Sequence, residues 1–141
     1  ALDGLAASEP AVRRYVDGAV ASRVARQAIH AMTLGQFNCE QRVATLLLEL
    51  ALRTGASAPG GGVMFDLPFN RKDIADYLGL NPDTLSRIMS RFRTEGLIAQ
   101  PERGRALVRD LAALAAHSPA AGPLTAMSGE RRQDAPSGAA L

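Results

Sequence analysis

Residues 70–97, NRKDIADYLGLNPDTLSRIMSRFRTEGL, predict two short helices joined by a tight turn. Asn70 can cap the first helix, and Asp73, three positions later, suits the second half of a capping box. Gly79 lies where a helix commonly ends in a left-handed residue, and Leu80 adds the apolar contact that often accompanies such an end. The first helix is therefore expected to begin after Asn70 and to end at Gly79.

The second helix is predicted to begin at Asn81 and Pro82. Proline disfavours helical geometry at the residue before it, which suits a cap, and its missing donor costs nothing at the first helical position. Four apolar residues then follow at helical spacing and are expected to pack on the first helix. They are Leu85, Ile88, Met89 and Phe92.

The opposite face of the second helix is polar and matches the chemistry of the DNA major groove. Arg87 can pair with both acceptors on a guanine edge, Asp83 can accept from an exocyclic amine, and Ser86 can contact a neighbouring base or its methyl group. On an isolated helix such a face is more often solvated, with an intrahelical ion pair. Here the caps, the core spacing and the polar face occur together, which favours a DNA-binding helix-turn-helix.

The segment LPFNRKDIADYLGLNPDTLSRIMSRF resembles the helix-turn-helix of the Crp-Fnr transcription factors, especially their Fnr and FixK-like branch. The resemblance is strongest over residues 67–98 and extends more weakly over residues 12–108. In that branch the recognition helix carries a Glu-x-x-Ser-Arg pattern that contacts a TTGA-like half-site. Asp83, Ser86 and Arg87 stand at those places, with aspartate in the place of glutamate.

The resemblance also implies how such a protein works. We expect a cytoplasmic, bacterial transcription regulator that binds an inverted repeat in double-stranded DNA as a homodimer and contacts RNA polymerase. The family usually carries a sensory domain ahead of its dimerisation helix, and that domain is missing from this sequence. Because the sequence begins with alanine rather than methionine, we expect a fragment of a longer protein. No cofactor is expected within the chain, and the effector of the missing domain stays unknown.

Other polar residues near the helix-turn-helix are expected to hold the DNA backbone. Basic and hydroxyl-bearing side chains contact phosphates and fix the register of a protein on DNA without conveying sequence. Two of the arginines belong to a predicted hairpin, in which LIAQ and RALV flank the turn PERG. This hairpin would form a wing, although an ordinary solvated hairpin is the alternative. The expected phosphate contacts are Asn70, Arg71, Lys72, Thr84, Ser90, Arg91, Arg103 and Arg105.

A long helix is predicted over residues 11–37, which contain no proline, with Gly35 marking its end. Apolar residues recur in it every four positions, and so short a chain has few neighbours to cover them. We therefore expect the helix to pair with the same helix of a second copy. The alternatives are packing across its own domain or against the missing domain. The expected interface consists of Val12, Val16, Val20, Val24, Ala28 and Met32, widened by Tyr15, Ala19 and Ile29.

The remaining segments complete the expected organisation. Asn38 and Gln41 form a capping pair for a supporting helix, residues 56–62 predict a flexible connection, and residues 63–69 predict a short strand. The predicted fold class is mainly α with a small antiparallel β wing, a winged helix-turn-helix preceded by a long dimerisation helix. The expected parts are a dimerisation helix (residues 1–37), a DNA-binding domain (38–117) and a disordered tail (118–141) rich in Pro, Gly, Ala and Ser.

Composition leaves two other functions open. The chain has 141 residues, 47% of them hydrophobic, and a net charge of +2, which permits nucleic-acid binding without requiring it. One alternative is a winged-helix module whose charged helix meets an acidic protein. The other is a thiol-dependent enzyme that uses Cys39, the single cysteine. His30 and His117 have no spacing that indicates a metal or catalytic site, so neither an enzyme nor a metal site is expected.

Overall fold

The computed structural model describes the backbone of residues 2–134 and the side chains of residues 9–130. The chain divides between Met32 and Thr33 into two compact units. In chain order, the elements are α1 (Leu2–Gln36), α2 (Cys39–Thr54), β1 (Ala56–Ser57), β2 (Val63–Asp66), α3 (Arg71–Leu78), α4 (Pro82–Thr94), β3 (Ile98–Ala99), β4 (Arg105–Val108), α5 (Leu111–Ala115) and α6 (Ala121–Asp134).

Helix α1 is longer than the sequence predicted. It begins at Leu2 rather than at residue 11, and it continues through Pro10. A proline inside a helix removes one backbone hydrogen bond, but its fixed φ suits helical geometry, and the nearby residues Ala6, Ala7 and Ala11 favour a helix. The helix ends at Gln36, one residue beyond Gly35, which was predicted to end it.

Helix α2 begins at the predicted capping pair. The Asn38 side chain accepts from the Gln41 amide at 2.8 Å, and the Gln41 side chain accepts from the Asn38 amide at 3.0 Å, so the capping box is confirmed. The helix packs against α4, α5, α6 and β2, which places it at the centre of the second unit. Its apolar face is formed by Val43, Ala44, Leu47, Leu48 and Ala51, all of them buried.

The four strands form one antiparallel sheet in the order β1-β2-β4-β3. Strands β3 and β4 form the predicted wing hairpin, and the predicted fold class is confirmed. The flexible connection predicted over residues 56–62 is wrong, because these residues include β1 and an ordered glycine turn. Gly62 in that turn has a φ of +84°, and a Cβ there would lie 2.6 Å from the Val108 carbonyl oxygen, so only glycine fits so close to β4.

The tail predicted to be disordered is largely helical. Residues 121–134 form α6, which packs on α2, while residues 135–141 lie outside the described part of the chain. Ala120 and Leu124 are buried, and the Ser128 hydroxyl donates to the Leu52 carbonyl at 3.3 Å. A buried hydrogen bond of 2.7 Å also joins Ser118 to Thr45. These contacts order a segment whose composition alone indicated no core.

Candidate DNA interface

The turn between α3 and α4 has the predicted geometry. Gly79 adopts the left-handed conformation (φ +65°, ψ +36°), and the Leu80 amide donates to the Ala75 carbonyl at 2.8 Å, which closes a Schellman motif. At the start of α3, the Asn70 side chain accepts from the Asp73 amide at 2.8 Å. The return bond of a capping box does not form between these two residues, because aspartate is shorter than the glutamate of that motif.

Helix α4 is held by its apolar face and presents its polar face to solvent. The side chain of Asn81 accepts from the Asp83 amide at 2.8 Å and so caps the helix as predicted. The four predicted core residues are between 0% and 6% exposed: Leu85, Ile88, Met89 and Phe92. On the other side, Asp83 and Arg87 are exposed, and Ser86 is partly exposed. The three predicted base-contacting residues therefore share one surface of one helix.

Asp83 and Arg87 have no ionic partner among side chains 9–130, not even each other. The intrahelical ion pair that would explain them as a solvated surface is therefore not formed. Ser86 differs, because its hydroxyl oxygen accepts a hydrogen bond of 3.0 Å from the Arg71 guanidinium on α3. The polar face of α4 thus carries a carboxylate and a guanidinium that are both available to a ligand.

The predicted phosphate-contacting cations fall into two groups. Lys72 pairs with Asp76 at 2.9 Å, and this hydrogen bond raises the pKa of the ammonium group. Arg105 pairs with Glu102 and Asp66, and the hydrogen bond with Glu102 is the main cause that raises the pKa of its guanidinium. In contrast, no described side chain forms an ion pair with Arg103, which lies exposed in the turn of the wing.

Arg91 forms an ion pair that the sequence did not predict. Its guanidinium pairs with Glu40 in the first turn of α2, and the other oxygen of Glu40 lies 3.3 Å from His117 Nδ1. The His117 ring in turn packs on Phe92, with ring centroids 5.6 Å apart. Glu40 therefore links the recognition helix to the supporting helix and to the segment after α5. Of the remaining predicted phosphate contacts, Asn70 and Ser90 are exposed, and Thr84 is partly exposed.

Arg42 is a second residue that sequence reasoning missed. Its guanidinium donates to the carbonyls of Leu34 (2.9 Å) and Phe37 (3.0 Å) at the end of α1, and to those of Leu78 (3.1 Å) and Gly79 (3.5 Å) at the end of α3. The last carbonyls of a helix have no partner within that helix and carry partial negative charge. One guanidinium therefore supplies hydrogen bonds to carbonyls at two helix ends and fixes the turn that precedes α4.

The face predicted for the dimer interface is exposed in α1. Four valines along it are between 49% and 58% exposed: Val12, Val16, Val20 and Val24. Ala28 and Met32 are exposed as well, and so are Tyr15 and Ala19 of the widening residues, whereas Ile29 is buried. Helix α1 thus carries an apolar surface of the kind that a partner commonly covers.

Other kinds of site find little support in the described side chains. No group of three or more His, Cys, Asp or Glu residues within that part of the chain could hold a metal ion. Cys39 is exposed and makes no disulfide. None of the helices in residues 2–134 is both long enough and apolar enough to span a membrane.

Comparison with known proteins agrees with this geometry. A family model described as a Crp-like helix-turn-helix domain matches residues 41–117. The nitrogen fixation regulation protein FixK of Azorhizobium caulinodans is 38% identical over 85 residues, which cover 60% of this chain and 34% of that protein. The transcriptional activator protein FnrL of Cereibacter sphaeroides is 36% identical over 86 residues, which cover 59% of this chain and 35% of that protein.

A solved structure extends the similarity. FixK2 from Bradyrhizobium japonicum matches with a TM-score of 0.66 and 32% identity, over 83% of this chain and 57% of that chain. The chain spans about a third of the length of the two curated relatives. The family match covers most of α2 and continues through the helix-turn-helix, the wing and α5. The chain therefore belongs to the Crp-Fnr family of DNA-binding transcription regulators, which are not enzymes, and within it to the FixK-like branch.

Proposed function

We propose that this chain binds an operator with TTGA-like half-sites by inserting α4 into the major groove of double-stranded DNA. One observation carries the proposal: α4 buries its whole apolar face, while Asp83 and Arg87 lie exposed without an ionic partner. A carboxylate and a guanidinium that are exposed on a rigidly held helix, and are not bound to each other, suit a ligand with complementary donors and acceptors. Base edges in the major groove offer such a pattern.

Each polar residue of α4 has a proposed role. Arg87 donates to guanine O6 and N7, Asp83 accepts from an exocyclic amine, and Ser86 contacts a neighbouring base. The backbone contacts come from the ends of α3 and α4 and from the wing. They are assigned to Asn70, Arg71, Lys72, Thr84, Ser90, Arg91, Arg103 and Arg105. Because Lys72, Arg91 and Arg105 already have carboxylate partners, we expect Arg103 to contribute more than these three to phosphate binding.

We further propose that two copies bind one inverted repeat, with half-sites about one helical turn apart. The exposed apolar residues of α1 support pairing through Val12, Val16, Val20, Val24, Ala28 and Met32. In this proposal residues 1–37 serve dimerisation and residues 38–117 serve DNA binding. The protein would act in the cytoplasm and contact RNA polymerase once it is bound to its operator.

Selection of binding sites from random duplexes at two salt concentrations tests the proposal. A palindromic consensus with TTGA-like arms, retained at both salt concentrations, is the expected result. Affinity that falls steeply with salt and shows no sequence preference would contradict it, because that behaviour needs only neutralisation of phosphates.

A second candidate function has one observation in its favour. An apolar groove of about 720 Å³ lies between α2, α3 and the loop before α3, and it is lined in part by Phe69 and Tyr77. These aromatic side chains are 53% and 47% exposed, and exposed aromatics at a groove are typical of protein-binding surfaces. A winged-helix protein-interaction module would bind a partner protein tightly and show no preference among DNA sequences.

A further inference from the structure

We propose that Arg71 is a positioning residue that fixes the Ser86 hydroxyl as a hydrogen-bond donor toward the DNA. The inference rests on the proposed function and adds to it the kind of base atom that Ser86 contacts. Arg71 Nη1, in the first turn of α3, donates to Ser86 Oγ on α4 at 3.0 Å. The bond joins α3, the first helix of the helix-turn-helix, to the recognition helix α4. A residue of α3 therefore positions Ser86, a predicted base-contacting residue of α4.

The direction of this bond decides what Ser86 can do. A serine hydroxyl has one proton to donate and two lone pairs to accept, whereas an arginine guanidinium only donates. Arg71 therefore occupies a lone pair of Ser86 and leaves its proton unused. Within a helix that proton commonly goes to the carbonyl four residues earlier. Three threonines of this chain donate in that way, over 2.7 to 3.0 Å: Thr45, Thr54 and Thr94.

Ser86 makes no such bond to any group in the described structure, although it lies on the same helix as Thr94. Its proton is thus available to an acceptor on DNA, which in the major groove is purine N7, guanine O6 or thymine O4. An exocyclic amine is excluded as its main partner, because an amine offers no comparable acceptor. Asp83 and Ser86 therefore contact opposite kinds of base atom from the same face of α4.

Because Arg71 is exposed, it can bind the DNA backbone while it holds Ser86. Its side chain is exposed, and the guanidinium retains further N–H donors for a phosphate oxygen. A phosphate held by Arg71 would therefore set the position at which Ser86 meets its base. Backbone contact and base contact are usually made by separate residues, and here one arginine couples them.

A double-mutant cycle tests this coupling. The wild type, Arg71→Gln, Ser86→Ala and the double variant are measured on the selected operator and on the operator changed at the base pair where Ser86→Ala relaxes the preference. We expect Arg71→Gln to lower discrimination at that pair by about fivefold or more in the wild type. In the Ser86→Ala background it should leave discrimination unchanged, although overall affinity falls.

Two controls separate positioning from simple charge. Arg71→Lys retains the cation but not the guanidinium fork, so it should restore part of the affinity without restoring the discrimination. Lys72→Gln removes a neighbouring exposed cation that does not touch Ser86, so it should weaken all sequences alike. Removing the N7 or O4 acceptor at the Ser86 pair with a base analogue should weaken the wild type and leave Ser86→Ala unaffected.

The outcomes distinguish this inference from the function on which it rests. If the wild type shows no preferred site, the proposed function fails and the inference fails with it. If the wild type prefers a site and Arg71→Gln weakens all sequences equally in both backgrounds, Arg71 is only a phosphate contact. In that case the positioning role is overturned and the proposed function stands.

Discussion

Helices α4 and α1 differ in how far the chain buries their apolar residues. In α4 all four apolar residues of the predicted core face are buried by the same chain, and the charged residues point outward. In α1 the valines of the predicted stripe are about half exposed. Helix α4 is thus complete within one chain, whereas α1 carries apolar surface that one chain does not cover. If α1 pairs as proposed, we therefore expect that the folding of residues 38–117 and the pairing through α1 can be disrupted separately.

The largest effect is expected where α4 is held. Phe92 is fully buried and packs on the His117 ring, so Phe92→Ala should lower the free energy of unfolding by about 3 to 5 kcal/mol. That loss is a large fraction of the about 5 to 15 kcal/mol by which native domains are typically stable. Denaturant unfolding followed by circular dichroism measures it, and Phe69→Ala, at a phenylalanine of the same unit that is 53% exposed, is the control. Equal stability of the two variants would contradict the account of α4.

The second effect concerns α1. Replacing Val16 and Val20 by serine should leave the unfolding of the DNA-binding part unchanged but abolish dimers in analytical ultracentrifugation. Loss of the second half-site contact should then weaken binding to the inverted repeat by about 100-fold, because the two subunits no longer bind together. Replacing Arg13 and Asp17 by serine is the matched control on the same helix. Retained dimers in the valine variant would show that this face does not pair.

An intermediate effect is expected at Arg42, which satisfies the carbonyl ends of α1 and α3. Arg42→Met keeps an unbranched apolar stem and leaves these carbonyls without their charged donor, so stability should fall by about 1 to 3 kcal/mol. Arg53→Met, on the exposed part of the same helix, should change stability little. Amide hydrogen exchange should show faster exchange at the α3–α4 turn in the Arg42 variant only.

The smallest effect is expected in the wing. Arg103→Ala removes one exposed cation without an ionic partner in the described structure, so all DNA sequences should lose affinity alike. The plot of log affinity against log salt should become less steep, its negative slope falling in magnitude by about one unit. Titrations at several salt concentrations measure this slope. A change in base preference would instead place Arg103 in a groove.

The helix-turn-helix could be predicted closely because its signals are local. Caps at Asn38, Asn70 and Asn81 and the left-handed turn at Gly79 each depend on a few neighbouring residues, and the structure has them all. The spacing of apolar residues then determined which face of α4 is buried. Local rules of this kind need no knowledge of distant contacts.

Helix α6 could not be predicted in the same way. Its sequence contains Gly122, Pro123 and Gly129, which disfavour a helix, and its order comes from packing on α2. A weak signal was present, since Ala120, Leu124 and Ser128 recur every four residues and are all buried. Small and polar residues at helical spacing resemble a solvated segment until the surface that covers them is known.

The role of Arg42 was missed although the sequence carried a sign of it. A cation near the start of a helix is unfavourable for the helix dipole, so its presence in α2 indicates a partner elsewhere. The partners are carbonyls at the ends of other helices, which no sequence pattern locates.

The site residues on α4 were predicted as a set, but the hydrogen bond between Arg71 and Ser86 depends on how α3 and α4 pack.

Parallel selection of binding sites by the wild type, Arg87→Ala and Arg103→Ala tests the central claim, that α4 recognises bases, most directly. We predict that Arg87→Ala folds normally and loses preference at one guanine position in each half-site, at a cost of about 1 to 3 kcal/mol on the wild-type operator. Arg103→Ala should keep the full consensus at lower affinity. An Arg87→Ala variant that selects the wild-type consensus with wild-type affinity would contradict the claim.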